Sequence, residues 1–99
     1  AVGGIRVDET SSDVALILAV VSSFRNKFLP ADLVCFGEIG LSGEIRPVPN
    51  GQERIKEAAK HGFRVAIVPE GNKPKQELAK IRIISVKKLA DVLAALEEL

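Results

Sequence analysis

The first strong pattern along the chain is an apolar run at residues 14–21, VALILAVV, which follows the polar stretch DETSSD. Thr10 and Asp13 have the spacing of a capping box, so the pattern predicts a helix over residues 12–24, with Ser11 opening its first turn. Because this helix has no polar face, we expect it to be buried in the middle of the domain.

After residue 30 the apolar positions fall into shorter blocks. The continuous run LVCF predicts a strand over residues 32–39 that is buried on both faces. The GLSG turn and the following EIRPV predict a return strand, hence a hairpin, with Pro47 marking its end. Asn50 is expected to cap the next helix, which Gly62 ends.

The last third of the chain predicts two more strands, RVAIVP and IRIISV, joined by a lysine-rich loop, and then an amphipathic helix capped by Ser85. The order strand, helix, hairpin, helix, strand, strand, helix predicts an α/β (α+β) fold with a mixed sheet, a hairpin and about three main helices. Residues 1–99 are expected to form one domain, and the AVGGIRV start leads us to expect a piece of a longer protein.

Composition narrows the chemistry. The only aromatic residues are four Phe, so the core must be largely aliphatic, and the net charge of +1 gives no global attraction to nucleic acid or membrane. The single cysteine, Cys35, is expected to be a small buried hydrophobe. One Cys and one His exclude a disulfide framework and argue against a zinc site. With no visible signal peptide and no apolar run near the roughly 20 residues of a bilayer span, we expect a cytoplasmic protein without a membrane partner.

Three stretches resemble the proteolytic domain of the Lon family: ETSSDVALILAVVSS at 9–23, FGEIGLSGEIRPV at 36–48 and AAKHGFRVAIVPEGN at 58–72. That family's pattern is a Gly-Pro-Ser-Ala-Gly helix start, a TGEI hairpin and a PIGGLKEK loop-to-helix segment. The resemblance covers most of the chain. It is particularly strong to the Lon-like C-terminal domain of the RadA (Sms) family of bacterial DNA-repair proteins, including the stretch PVPNGQERIKEAAKHGF at 47–63.

The resemblance implies a Ser–Lys dyad, in which a serine attacks and a lysine removes its proton. By position the serine falls on Ser11 and the lysine on Gln52. A glutamine amide has no basic lone pair, so Gln52 cannot serve as the general base. Phe36 replaces the family's lysine-orienting threonine, and Asp13 replaces the glycine two residues after the nucleophile. We therefore expect no catalytic residues, with Ser11 a vestigial nucleophile position and Gln52 a lost base position.

Other interpretations of these residues stay open. Ser11 and Gln52 are also typical of ordinary residues in the first turn of a helix, and His61 suits a helix C-terminus through its charge. An active peptidase could instead use Ser11 with Lys56, which lies four residues after Gln52 on the same helix face. That dyad would need the helix displaced by roughly 6 Å.

A third interpretation is direct DNA binding. Five basic residues cluster in the sequence and could neutralise phosphates, although the usual explanation is a solvated face. No aromatic residues interleave with them, so base stacking is not expected. The candidate contacts are Arg46, Arg54, Lys56, Lys60 and Arg64.

The resemblance implies an inactive scaffold that forms a homo-oligomer, a hexameric ring, within a DNA-repair and recombination ATPase, with DNA near or through the ring. ATP and zinc would belong to upstream domains, so no cofactor and no metal are expected in these residues. The hairpin at 37–48 and the helix at 50–64 are the candidate ring surfaces. Most of the affinity would come from Ile39, Leu41 and Ile45.

Overall fold

The structure is a computed structural model that describes residues 30–99. The predicted strand at the chain start and the predicted helix over residues 12–24, with Ser11 and Asp13, lie outside the described residues. Within 30–99 the elements are, in order, β1 (Leu33–Cys35), β2 (Glu38–Ile39), β3 (Ile45–Arg46), α1 (Gly51–Lys60), β4 (Val65–Pro69), a 3₁₀ turn (Glu70–Asn72), β5 (Arg82–Val86) and α2 (Leu89–Glu98).

Parallel and antiparallel pairing occupy two separate sheets among the described residues. Strands β1, β4 and β5 form a parallel sheet in the order β1-β4-β5, and β2 and β3 form the antiparallel hairpin that the GLSG turn predicted. The hairpin is tied to the far end of β5, because the Ile45 N–H donates to the Lys87 carbonyl at 2.8 Å and the Leu89 N–H to the Gly43 carbonyl at 2.9 Å. The α/β prediction is confirmed.

The parallel sheet has a core on each face, because its strands are apolar on both sides. On one face α2 contributes Val92, Ala95 and Leu96 to a cluster with Leu33 and Ile67. On the other face α1 contributes Ile55 and Ala58 to a cluster that includes Phe36, Val48, Ala66 and Val68. The core is therefore largely aliphatic, as the composition predicted.

The predicted strand over residues 32–39 is wrong in one respect, since it is two short strands that belong to different sheets. Gly37, between them, has a φ of 145°, a conformation that residues with a side chain rarely adopt. The chain therefore turns at Gly37 out of the parallel sheet and into the hairpin.

The prediction that Gly62 ends a helix is confirmed, whereas the predictions that Asn50 and Ser85 cap helices are wrong. Gly62 has a φ of 87°, and the Phe63 N–H donates to the Ala58 carbonyl at 3.0 Å, which is a Schellman ending. Asn50 precedes α1 but has a left-handed backbone with φ 59°, and its side chain caps nothing, because capping side chains need an extended backbone. Ser85 lies within β5.

Asp91, in the first turn of α2, provides the N-terminal side-chain hydrogen bonds that were expected from Ser85. Its Oδ2 accepts the backbone N–H groups of Lys87 at 2.9 Å and Lys88 at 3.2 Å. These hydrogen bonds favour the ionised carboxylate and lower the pKa of Asp91 below its ordinary value. The start of α2 is thus stabilised by a carboxylate reaching back from the third helical position.

Candidate functional site

The position that the resemblance assigns to the general base is at the start of α1. Gln52 is the second residue of the helix and its side chain is exposed. Lys56 is exposed one turn further along, roughly 6 Å away along the helix axis. A neutral amide therefore stands at the base position, and the nearest lysine on that face is one turn away.

The loop before α1 is held by the buried side chain of Asn72, which lies in the 3₁₀ turn that follows β4. Asn72 is 7% exposed. Its Oδ1 accepts the Val48 N–H at 2.8 Å, and its Nδ2 donates to the Val48 carbonyl at 3.0 Å. The Asn72 carboxamide thus satisfies both backbone polar groups of the buried Val48. This contact fixes the loop that leads into α1, and with it the place where the Gln52 side chain projects.

Two glycines allow these loops to approach so closely. A side chain at Gly51 would overlap the Asn72 carboxamide, and a side chain at Gly71 would press on the Pro47 ring. Local sequence patterns do not indicate this interlock, because Asn72 follows a strand in the stretch PEGN and is typical of an exposed turn residue. Only its burial distinguishes it.

Phe36 occupies the position of the family's lysine-orienting threonine and is a core residue. It is 2% exposed and packs in the cluster that contains Ile55 and Val68. The Arg54 guanidinium lies over its ring at 6.0 Å from the centroid. At position 36 the chain thus presents an apolar ring to α1, and not a hydroxyl group.

An apolar cleft of about 290 Å³ opens between α1 and β1, and we call it the α1–β1 cleft. Its apolar wall includes Val34, Phe36 and Phe63, and its polar rim includes Arg54 and His61. His61 lies at the C-terminal end of α1, as predicted, with its Nε2 at 3.1 Å from Glu57 Oε1. The remaining lining residues are Cys35, Glu57 and Ala58.

The five basic residues proposed for DNA contact do not come together as one patch. Arg46 is on the hairpin and pairs with Glu44 at 2.9 Å. Lys56 and Lys60 share a face of α1, whereas Arg54, two residues before Lys56, lies on the opposite side of the helix, at the α1–β1 cleft.

Arg64 belongs to a different basic surface, which the sequence analysis missed. The basic cleft, of about 660 Å³, lies along the loop between β4 and β5, and five cationic side chains and one carboxylate, Glu77, line it. The lysines of this loop are exposed, and Arg82 contacts Glu98 of α2 at 3.5 Å. A smaller adjoining cleft of about 390 Å³ shares two of the cations, Arg64 and Lys80. The five cations are Arg64, Lys73, Lys75, Lys80 and Arg82.

The described residues include a further potentially reactive side chain, the thiol of Cys35. Cys35 is buried, as predicted, and burial raises the pKa of its thiol to about 12, so the nucleophilic thiolate is disfavoured. Within residues 30–99, no group of three His, Cys, Asp or Glu side chains could hold a metal ion. None of the helices described in that range is long and apolar enough to cross a bilayer.

Comparison with known proteins agrees with this architecture. The Lon protease (S16) C-terminal proteolytic domain matches residues 2–98, so the chain belongs to that domain family. The chain is also similar to proteins named DNA repair protein RadA. It is 65% identical over 98 residues to the one from Haemophilus influenzae and 62% identical over 98 residues to the one from Escherichia coli, which covers 99% of this chain in each case.

The similarity extends beyond these two bacteria. The DNA repair protein RadA of Synechocystis is 45% identical over 92 residues, which is 93% of this chain. The chain spans only about a fifth of the length of these relatives, 21% for the Haemophilus influenzae protein and 18% for the Synechocystis protein. The resemblance that the sequence motifs indicated is confirmed.

Proposed function

We propose that this chain is a catalytically inactive Lon-like domain that serves as an oligomerisation scaffold in a DNA-repair protein. The observation that carries the proposal is the exposed Gln52 at the start of α1, where a Lon protease needs a lysine. The buried Phe36 supports it, because the matching position orients that lysine in proteases. A domain that keeps the protease fold after losing the general base must serve another function. Packing between copies of the domain is such a function.

The assembly that we propose is a homo-oligomeric, hexameric ring, formed by heterologous contacts in which one surface of each copy meets a different surface of the next. The DNA-repair context comes from the relatives' names. ATP and zinc would bind in parts of the protein upstream of these residues, where a recombination ATPase would act on DNA. Cytoplasmic location follows from the same proposal.

Sedimentation over a range of concentrations tests the scaffold. We expect the intact protein to form a discrete oligomer, and the 99-residue chain to associate more weakly but measurably as its concentration rises. A strict monomer in both forms, at the highest concentrations reached, would contradict the scaffold and leave DNA contact as the better function.

Direct DNA contact is the second candidate, and the basic cleft is the observation that favours it. Its lining carries five cations and one carboxylate, and Glu98 pairs with only one of those cations, Arg82, so the local charge is positive although the chain as a whole carries only +1. Phosphate contacts need clustered cations and no base-specific geometry. The cleft therefore replaces the scattered residues Arg46, Arg54, Lys56 and Lys60 as the better candidate surface, with Arg64 common to both.

A salt-dependent DNA shift assay separates the two candidates. We expect Lys73→Gln with Lys80→Gln to weaken DNA binding and to reduce the slope of log affinity against log salt by about 1 for each phosphate that is no longer neutralised. The matched control is Lys56→Gln with Lys60→Gln, which removes the same charge from the exposed face of α1. Equal weakening by both pairs would show that only net charge matters, and would remove the cleft as a site.

A further inference from the structure

We propose that Asn50 is a site of spontaneous deamidation, and that the contacts of Asn72 with Val48 and Gly51 hold this reaction back in the folded protein. Deamidation converts the side-chain amide of an asparagine into a carboxylate and releases ammonia. The inference concerns covalent chemistry at the start of α1, so it depends on neither the scaffold nor the DNA contact.

Asn50 is the only asparagine of the chain that is followed by glycine. The other two, Asn26 and Asn72, each precede a lysine. The backbone nitrogen of the following residue is the nucleophile in deamidation, and glycine leaves that nitrogen uncrowded and its torsions free, because it has no Cβ. Asparagine is among the thermolabile residues of proteins. The sequence therefore favours position 50 for this reaction.

The reaction needs water as its only co-reactant. The Gly51 nitrogen attacks Cγ of Asn50 and loses its proton to solvent, a new C–N bond forms, and the side-chain nitrogen leaves as ammonia. Water then opens the resulting five-membered imide at one of its two carbonyl groups. Opening at one carbonyl gives aspartate. Opening at the other gives isoaspartate, in which the main chain passes through the former side chain and is longer by one methylene group.

The hydrogen bonds of α1 engage neither of the reacting groups. The side chain of Asn50 is exposed and makes no capping hydrogen bond to the helix. Gly51 is the first residue of α1, so its N–H has no acceptor within the helix. The electrophilic carbon and the attacking nitrogen are therefore both available as soon as the backbone brings them together.

The backbone angles of Asn50 keep the two groups apart in the folded protein. Its φ is 59° and its ψ is 30°. At this ψ the Gly51 nitrogen lies nearly opposite Cβ about the Cα–C bond of Asn50, whereas closing the imide ring needs the two atoms on the same side. Asn50 must therefore rotate about this bond before the reaction can occur.

Contacts at the start of α1 oppose that rotation. The Asn50 carbonyl accepts the Arg54 N–H at 3.0 Å, which is the first hydrogen bond of the helix. Gly51 lies so close to the Asn72 carboxamide that an added Cβ would overlap it, and the same carboxamide holds both backbone polar groups of Val48. The reaction therefore proceeds in those molecules in which the start of α1 has opened, and its rate follows their fraction.

The two products have opposite effects on α1. Aspartate places a carboxylate at the N-terminal end of the helix, where the helix dipole stabilises it. The Arg54 guanidinium is also near, since its Nε donates to the Pro49 carbonyl at 3.3 Å. Isoaspartate instead displaces the carbonyl that accepts the Arg54 N–H, because the main chain is longer. Deamidation thus changes the charge and the path of the chain directly before Gln52.

Peptide mapping of the intact protein measures the reaction. The protein is incubated at mildly alkaline pH, sampled over time and digested with trypsin, and mass spectrometry gives the fraction of Asn50 converted to the acid. Labelling by an isoaspartate methyltransferase identifies the isoaspartate product. The same protein in denaturant gives the unrestrained rate. Asn72 is the internal control in the folded protein, because it precedes a lysine and its carboxamide is hydrogen-bonded.

Two variants separate opening of the α1 start from unfolding of the whole domain. Asn72→Ala removes the carboxamide that holds the loop, whereas Val92→Ala leaves a cavity in the core on the other face of the sheet. We expect Asn50 in the folded wild type to convert at least about tenfold more slowly than in denaturant. Asn72→Ala should raise the rate in the folded protein by about tenfold or more, and Val92→Ala by much less.

The outcomes that overturn the proposal are distinct. Absence of conversion at Asn50 in denaturant would remove the site itself. Conversion as fast in the folded wild type as in denaturant would show that the fold does not restrain it. Equal rates in Asn72→Ala and the wild type, or equal acceleration by Asn72→Ala and Val92→Ala, would show that the contacts of Asn72 do not control the reaction.

A measurement on the wild type alone covers the case in which Asn72→Ala does not fold. Hydrogen exchange of the Arg54 amide reports the breaking of its bond to the Asn50 carbonyl. Low concentrations of denaturant should raise this exchange rate and the rate of conversion at Asn50 in proportion. A conversion rate that stays constant while the exchange rate rises would overturn the control of the reaction by the start of α1.

Discussion

The side-chain carboxamide of Asn72 satisfies both backbone polar groups of Val48, donating to its carbonyl and accepting from its N–H. These residues lie 24 positions apart in the chain. The pair joins the turn after β4 to the loop before α1. This loop leads into the N-terminal end of α1, where a Lon protease would carry its general base. The position of Gln52 is therefore set by a contact that involves neither Gln52 nor any charged group.

Replacing Asn72 by alanine should destabilise the fold. Both polar groups of Val48 would be left buried and unpaired, at about 1–3 kcal/mol for each, so we expect the free energy of unfolding to fall by about 2–6 kcal/mol. Chemical denaturation measures this, with Lys73→Ala as the exposed neighbour that should change stability by no more than about 0.5 kcal/mol. An Asn72→Ala protein as stable as the wild type would mean that water replaces the carboxamide.

Alanine at position 51 should also be destabilising, against the usual trend. In an open helix Gly→Ala stabilises by about 1 kcal/mol, but here the added methyl group would overlap the Asn72 side chain. We expect a smaller cost once Asn72 is also alanine, because the carboxamide is then gone and only the Cβ of residue 72 still lies close to the added methyl group. A double-mutant cycle of Gly51→Ala and Asn72→Ala measures the coupling, and strict additivity of the two effects would argue against the interlock.

The buried Cys35 thiol should make stability fall at alkaline pH. Burial raises its pKa from the ordinary value of 9.0 to about 12. Between these values the unfolded chain loses a proton that the folded chain keeps, so rising pH favours unfolding. We expect the stability of the wild type relative to Cys35→Ala to fall by about 1 kcal/mol from about pH 8 to about pH 10. A difference independent of pH, or fast reaction of the native thiol with a maleimide, would contradict this.

Peptidase activity should be absent. We expect no cleavage of casein above the blank and no labelling by a fluorophosphonate, because Gln52 cannot remove a proton from Ser11. Gln52→Lys alone should not restore activity, since Phe36 remains where the supporting hydroxyl is needed. Stoichiometric labelling that disappears in Ser11→Ala would contradict the inactive domain and favour the alternative dyad of Ser11 with Lys56.

The sequence pattern predicted those helices and strands whose formation depends on residues close together in the chain. The strands β4 and β5 lie where continuous runs of branched apolar residues placed them, and α1 ends at the glycine that a left-handed turn requires. The position of Gln52 at the start of a helix followed from its neighbours in the same way. Each of these features depends on residues within one or two turns of the chain.

Features that depend on distant residues were not predictable from those patterns. The burial of Asn72 depends on Val48, and the burial of Ile45 on the α2-side core. The basic cleft brings Arg64 beside lysines that follow it only after strand β4. The bend at Gly37 was missed because the apolar run LVCF continues smoothly into the glycine, and only the backbone angle shows that the sheet ends there.

The order of strands in the parallel sheet has a consequence for how this chain folds. Leu33 pairs with Val65, 32 positions along (65 − 33), whereas Val65 pairs with Arg82, 17 positions along (82 − 65). Closing the longer loop costs about 0.6 kcal/mol more in chain entropy, and it must also wait for the hairpin and α1 to compact. Pairing of β4 with β5 is therefore expected to form the folding nucleus, with β1 docking late. The strand that leads into Phe36 would then be among the first parts of the sheet to open and exchange its amide hydrogens.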